Sequence, residues 1–189
     1  MPNQPYQKPD FRRTWATPEK FDFQIYTDGA GYTDNFAGCA VTGVSKRFSK
    51  FFQRATAFWG IETDRAEFEG VLLGLHTILN VMGIENVPQH RMLQAEPMTV
   101  LVISDREDLV GSMSGENFNS KPPYERRANK DLWARFAWYE QYFQIIAAHR
   151  ERNTNPLQGA SDRLASEVRV MMKNYVEILH ADGVIKSIN

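Results

Sequence analysis

Phe21, Phe23 and Ile25 alternate with Asp22, Gln24 and Tyr26, a period of two that predicts a strand ending at Asp28. Segments 36–45 and 50–59 are rich in aromatic and β-branched residues. Gly43, Ser45 and Lys46 fall in or near the turn between them, so the pair reads as an antiparallel hairpin. The period then changes. From about 65 to 83, Phe68, Leu72, Leu75, Leu79 and Met82 recur every three to four residues and mark the buried stripe of a helix, with Gly83 as terminator. Residues 84–97, bearing Pro88 and Pro97, read as a loop. The run MTVLVIS is continuously apolar, as expected of a strand buried on both faces. A short helix follows, then a polar, proline-containing loop at 114–128. NKDLWARFAWYEQYF predicts a helix and QIIAAH a strand. The last helix is expected to start near Ser161, with Leu164, Val168, Met172, Tyr175 and Leu179 on one side.

The resulting order is three strands, helix, strand, two helices, strand, helix: an α/β mixed sheet with helices packed against it. Residues 1–20 hold four of the nine prolines and no periodicity, which predicts an extended arm offering Arg12, Arg13 and Trp15 as contacts. The domain is expected over 21–181, with a tail at 182–189.

At 189 residues the chain suits one domain, and a hydrophobic fraction of 42% with 12% aromatics supplies a real core. The longest apolar stretch is far short of the roughly 18–20 residues that span a bilayer. The N-terminus carries no apolar core of the kind a secretory signal needs. The lone Cys39, in FAGCAV, reads as a buried strand thiol. An intracellular setting is expected, cytoplasmic in a prokaryote or virus. A net charge of −1 gives no global basic field, so a polyanion would have to be held by local patches and metal ions.

Four acids stand out. Asp28 sits in IYTDGAG, Glu67 in TDRAEFEGVLLGL, Asp105 in VLVISDREDLV and Asp162 in QGASDRLASEV. Two end apolar strands and two open helical patterns. Singly, each has an ordinary reading: a turn aspartate, a helix N-cap, or a first-turn acid favoured by the helix dipole. Together they form carboxylates at the ends of core elements, which are costly to desolvate without positive partners. Hard divalent cations, which prefer oxygen ligands, are the economical partner.

TDGAG, RAEFEGVLLGL, VLVISD, NKDLWARF, and AAH followed by ASDRLASE resemble, in this order, the type 1 ribonuclease H pattern, over about residues 21–175. The resemblance implies a five-stranded mixed sheet whose first three strands are antiparallel. It also implies a catalytic quartet of Asp28, Glu67, Asp105 and Asp162 holding two Mg²⁺ ions, for which Mn²⁺ can substitute. Asp28 would bridge the ions. Asp162 would help hold the one that activates water, and Glu67 and Asp105 the one beside the leaving 3′ oxygen. His149 matches a loop histidine that assists proton transfer or product release.

The chain departs from the pattern where the family reads the minor groove of its substrate. Thr63 and Asp64 replace the polar amides before the helix glutamate, and Arg106 and Glu107 follow Asp105 where a small polar residue is frequent. Lys121, Arg126, Arg127 and Lys130 form a weaker basic patch than the family's Trp-bearing handle. Trp59 and Trp133 fall on apolar stripes and are expected in the core. Phe136, Trp138, Tyr139, Tyr142 and Phe143 leave one helix face aromatic and open to a partner. The expected activity is metal-dependent endonucleolytic cleavage of the RNA strand of RNA/DNA hybrids by a favoured monomer. The alternatives are a nuclease of the same superfold acting on another nucleic acid, and a non-catalytic binding module.

Overall fold

The computed structural model describes residues 20–31, 34–84, 97–114, 129–152 and 154–184. The expected N-terminal arm before Lys20, most of the 84–97 segment, the basic residues Lys121, Arg126 and Arg127, and the tail after Val184 lie outside the described residues.

Five strands form one sheet: β1 (Phe23–Gly31), β2 (Phe36–Ser45), β3 (Lys50–Trp59), β4 (Met98–Ser104) and β5 (Phe143–His149). Their spatial order is β3-β2-β1-β4-β5. β1 pairs antiparallel with β2, and β2 with β3. β4 pairs parallel with both β1 and β5. The helices are α1 (Thr63–Val81), α2 (Glu107–Met113), α3 (Lys130–Tyr139) and α4 (Pro156–Ala181).

The period-2 pattern of β1 splits the core in two. Phe23 and Ile25 face a cluster with Val71, Leu72, Leu75 and Ile78 of α1, Leu132, Trp133 and Phe136 of α3, and Val100 and Val102 of β4. Tyr26, on the opposite face, joins Leu101, Ile103 and Ala148, with Leu157 of α4 packed against them. Parallel strands flanked by helices on both faces must be apolar on both, which is why MTVLVIS is continuous. Cys39 is buried, and burial pushes its thiol up to about 12.

Several expectations shift. β1 does not end at Asp28 but runs on to Gly31, paired with β2 throughout. Gly43 is not in the turn. It pairs with Phe52, whose ring covers it so closely that a Cβ there would lie 2.0 Å from the ring edge. The helix over NKDLWARFAWYEQYF stops at Tyr139, and Phe143 opens β5 instead. Trp133 is core, against Phe68 and Phe136. Trp59, expected there too, is 39% exposed because it closes edge strand β3, where Phe36 stacks on it at 6.4 Å. Of the aromatic residues near α3, Phe136, Tyr139 and Phe143 are buried, while Trp138 is exposed beside Tyr142.

The largest revision concerns α4, which starts at Pro156, capped by the Asn155 side chain accepting from the Leu157 amide at 2.7 Å. Its buried line is Gln158, Ser161, Ala165 and Val176 rather than the expected apolar stripe, of which Tyr175 is exposed. The helix lies close on the sheet: a Cβ on Gly38 of β2 would stand 2.2 Å from the Ala165 carbonyl oxygen. At that separation small and polar side chains fit where leucines would not. Gln158 donates to the Thr27 carbonyl at 2.9 Å, and Ser161 to the Tyr26 carbonyl at 2.8 Å.

Candidate active site

Asp28 lies within β1, Glu67 in the first turns of α1 and Asp105 immediately after β4, so three elements converge at one end of the sheet. Asp28 is 1% exposed and Glu67 3%, and ligand oxygens from these two and Asp105 all lie within 4.8 Å of one another. The convergence depends on Gly29. A Cβ there would meet the Glu67 backbone nitrogen at 2.5 Å, so only glycine lets α1 rest on the strand beside Asp28. Gly31 plays the same part against Thr63. The TDGAG glycines thus serve close approach, not the sharp turn their sequence suggests.

Asp162 falls in the second turn of α4, not its first, because the helix begins at Pro156. Its carboxyl stands at the same cluster, 3.7 Å from the Arg152 guanidinium that also lies 3.6 Å from Asp28. All four expected acids are therefore brought together.

The electrostatics of the cluster are unfavourable without added positive charge. Burial, then the charge of Asp105 and the contact with Asp162, push the Asp28 carboxyl up to about 8, against the pull of Arg152. Burial, then the charges of Asp28 and Asp105, push Glu67 up to about 9, despite Arg106 and a hydrogen bond from the Gly29 amide. Both Asp28 oxygens, Glu67 Oε2 and Asp105 Oδ1 are buried without a hydrogen-bond partner. Buried polar atoms are rarely left so, and oxygen atoms left so together have the chemistry of a cation site.

His149 ends β5 directly opposite Ser104 of β4. Its Nε2 lies 3.1 Å from the Asp105 backbone oxygen. A carbonyl only accepts, so Nε2 is the donor of this contact. The ring thus stands at the rim of the cluster, holding the β4–α2 corner.

Two arginines reach the site, of which the sequence singled out only Arg106. Arg152, from the polar loop after β5, donates from Nε to Asp105 Oδ2 at 3.0 Å and lies 3.6 Å from Asp28 and 3.7 Å from Asp162. The signal was present: RER directly follows the strand that carries His149. Arg106 donates to Asp64 at 2.7 Å and through two nitrogens to Asp108 at 3.0 Å each. Asp64, which introduces negative charge ahead of Glu67, is therefore already paired within the chain.

No protein-family model matches the chain, and no curated protein sequence does. Solved structures do. A ribonuclease H1 (LC11) from compost, in complex with an RNA/DNA hybrid, superposes with a TM-score of 0.58 at 19% identity, over 79% of this chain and 98% of that one. The N-terminal ribonuclease H domain of a Mycobacterium tuberculosis protein gives 0.61 at 18% identity, over 82% and 99%. The ribonuclease H1 of the archaeon Halobacterium salinarum gives 0.56 at 15% identity, over 77% and 96%. The strand order, the two antiparallel pairings and the two parallel ones all agree with these likenesses: the chain has the ribonuclease H-like fold.

Proposed function

We propose that this chain is a divalent-metal-dependent endonuclease cleaving the RNA strand of RNA/DNA hybrids to leave 5′-phosphate and 3′-hydroxyl ends. The observation that carries the reading is the cluster of Asp28, Glu67 and Asp105, two of them buried and the third half-buried, crowded together and short of hydrogen-bond partners. Such a donor set, all oxygen and anionic, fits Mg²⁺ or Mn²⁺. Asp28, Glu67, Asp105 and Asp162 would hold two ions. When bound, two such ions supply charge stabilisation to the attacking and leaving oxygens of an in-line phosphoryl displacement.

The chain's own residues supply the rest. Asp28 is the shared member, grouped with Glu67 and Asp105 and joined to Asp162 through Arg152. His149 stands where a proton can be passed at the edge of the cluster. Arg106 pairs Asp64 and so lowers its repulsion toward a phosphate backbone. Selectivity for RNA would rest on contacts to 2′-hydroxyls across the shallow minor groove. Hybrid as substrate is supported by two of the neighbours. One is the compost ribonuclease H1; the other is a foamy viral protease-reverse transcriptase, matched with a TM-score of 0.58 at 13% identity over 90% of this chain and 22% of that one. Both are hybrid complexes.

The test is cleavage of end-labelled RNA/DNA hybrid, double- and single-stranded RNA, and DNA duplex with Mg²⁺ or Mn²⁺, with Asp105→Asn as contamination control. Hybrid-only cutting, lost in the variant, is expected. Cutting of a different substrate keeps the metal site and replaces the specificity. No cutting by folded protein favours a binding module.

A further inference from the structure

The carboxylate cluster carries a counter-charge within the chain itself. Arg152 stands on the short loop joining β5 to α4. The loop is pinned on one side by the Arg150 amide donating to Ser104 at 2.9 Å, and on the other by the Asn155 cap. From there a single guanidinium reaches three of the four carboxylates, at 3.0 Å from Asp105, 3.6 Å from Asp28 and 3.7 Å from Asp162. Those acids come from three separate elements, so the contact closes the cluster as an ion would.

It closes it incompletely. Of the three contacts only that to Asp105 is a hydrogen bond, and both Asp28 oxygens remain without a hydrogen-bond partner. One positive charge faces four carboxyl groups, and Glu67 is outside its reach. The Arg152 side chain is 54% exposed, so withdrawing it to solvent forfeits little packing. A guanidinium is a planar fork suited to one carboxylate edge, whereas a hard divalent ion brings twice the charge and gathers several oxygens at once.

We propose that Arg152 is an internal competitor of the metal ions: it occupies the carboxylate cluster of the metal-free protein and withdraws when ions bind, so that it sets the metal concentration at which the site fills. This rests on the reading of these carboxylates as a metal centre. A guanidinium and two divalent ions cannot share one cluster, since like charges at such distances repel. Apparent metal affinity is then reduced by the fraction of molecules in which Arg152 is seated. The same contact lets the protein fold without metal, because pairing offsets part of the cost of burying several carboxylates together.

The experiment uses the full chain, with Mn²⁺ as the probe, followed by titration calorimetry and by thermal unfolding in EDTA. Parent, Arg152→Gln and Arg152→Lys are compared, with Asp28→Asn as the variant that should not bind. Arg152→Gln should unfold at a lower temperature in EDTA yet bind Mn²⁺ more tightly, by about 10-fold for a competitor seated in nine molecules of ten. Arg152→Lys should fall between, and it stands in as the test should the glutamine variant fail to fold. Mn²⁺ affinity unchanged or weakened in both variants overturns the competition while leaving the metal-centre reading intact. No Mn²⁺ binding by parent or variant overturns that reading, and the competition with it.

Discussion

A Cβ on Gly29 would stand 2.5 Å from the backbone nitrogen of Glu67 and 2.8 Å from its Cα, so the strand bearing Asp28 and the helix bearing Glu67 meet at a distance that only glycine allows. Gly29→Ala should push the first turns of α1 off β1 and part the two carboxylates. Overpacking of this kind costs about 1–3 kcal/mol. The loss of Mn²⁺ binding should exceed what that destabilisation explains, which denaturant unfolding and metal titration on one preparation will show. Gly60 is the contrast: its φ is +82° with nothing within 4 Å of an added Cβ. Gly60→Ala should cost about 1–2 kcal/mol through backbone strain alone and leave metal binding in place. A Gly29→Ala protein that binds metal like its parent would show that the close approach is dispensable.

The raised carboxyl groups set a pH dependence with a definite sign. Asp28 and Glu67 hold their protons up to about 8 and 9 in the folded protein, against ordinary values of 3.8 and 4.5. Between those limits the folded state binds more protons than the unfolded one, so their contribution to stability is lost as pH rises. In EDTA, the melting temperature of the parent relative to Asp28→Asn should fall from pH 5 to pH 9. Taking the difference removes the groups that both proteins share. Mg²⁺ should reverse the trend, because the ions bind the ionised carboxylates that protons otherwise neutralise. A parent–variant difference that is flat in EDTA, or that grows with pH, would contradict the burial argument.

Sequence pattern revealed what local rules control. Asp28, Glu67 and Asp105 were legible because each lies in or beside a strongly periodic or apolar run, and those runs fold as their periods require. The start of α4 was not. Pro156 to Ala160 carries little apolar signal, since the first turns bury Gln158 and Ser161 against strand carbonyls rather than leucines against a core. The loop after His149 is therefore shorter than a helix start near Ser161 implies. Trp59 misled for the opposite reason: an aromatic in a strand suggests burial, but its place at the end of an edge strand is a matter of topology. Arg152 was beyond local reading altogether, for its partner Asp105 is 47 residues away and meets it only through the β4–β5 pairing.

Conservative removal of single charges should separate the site's members. Asp28→Asn, Glu67→Gln and Asp105→Asn should each lower hybrid cleavage by roughly 100-fold or more, as expected when a preorganised electrostatic group is lost, while the fold persists. In EDTA, Asp28→Asn should melt at or above the parent temperature at neutral pH, since it removes a carboxyl that must take up a proton to be buried there. His149→Ala should slow turnover by about 10–100-fold, in the range of groups that orient a metal site, without abolishing it. A rate profile unchanged between pH 6 and 9 in that variant would remove histidine from proton transfer and leave it as a brace for the Asp105 corner. A variant of any of the three acids that keeps near-full turnover would show that residue to be outside the reaction.

Asp22, just before the start of β1, provides the counter-example to Asp28 farther along the same strand. It accepts from the Thr99 amide at 2.8 Å and from the Thr99 hydroxyl at 3.2 Å, and pairs with Arg47. Burial alone would raise its carboxyl, but the Thr99 amide and Arg47 outweigh it and hold the group below its ordinary value of 3.8. Its linkage therefore runs the other way: the stabilisation is present above the unfolded value and is lost as pH falls through the lower folded one. Asp22→Ala leaves the Thr99 amide without its acceptor and should cost about 1–3 kcal/mol at neutral pH, a gap that closes in acid. Hybrid cleavage should be unchanged at temperatures where the variant is folded, since Asp22 and Thr99 join the ends of β1 and β4 opposite the carboxylate cluster. Chemical denaturation of parent and variant at pH 7 and pH 3 measures the gap. A gap that persists in acid would mean that packing, not the ionised carboxylate, accounts for the loss.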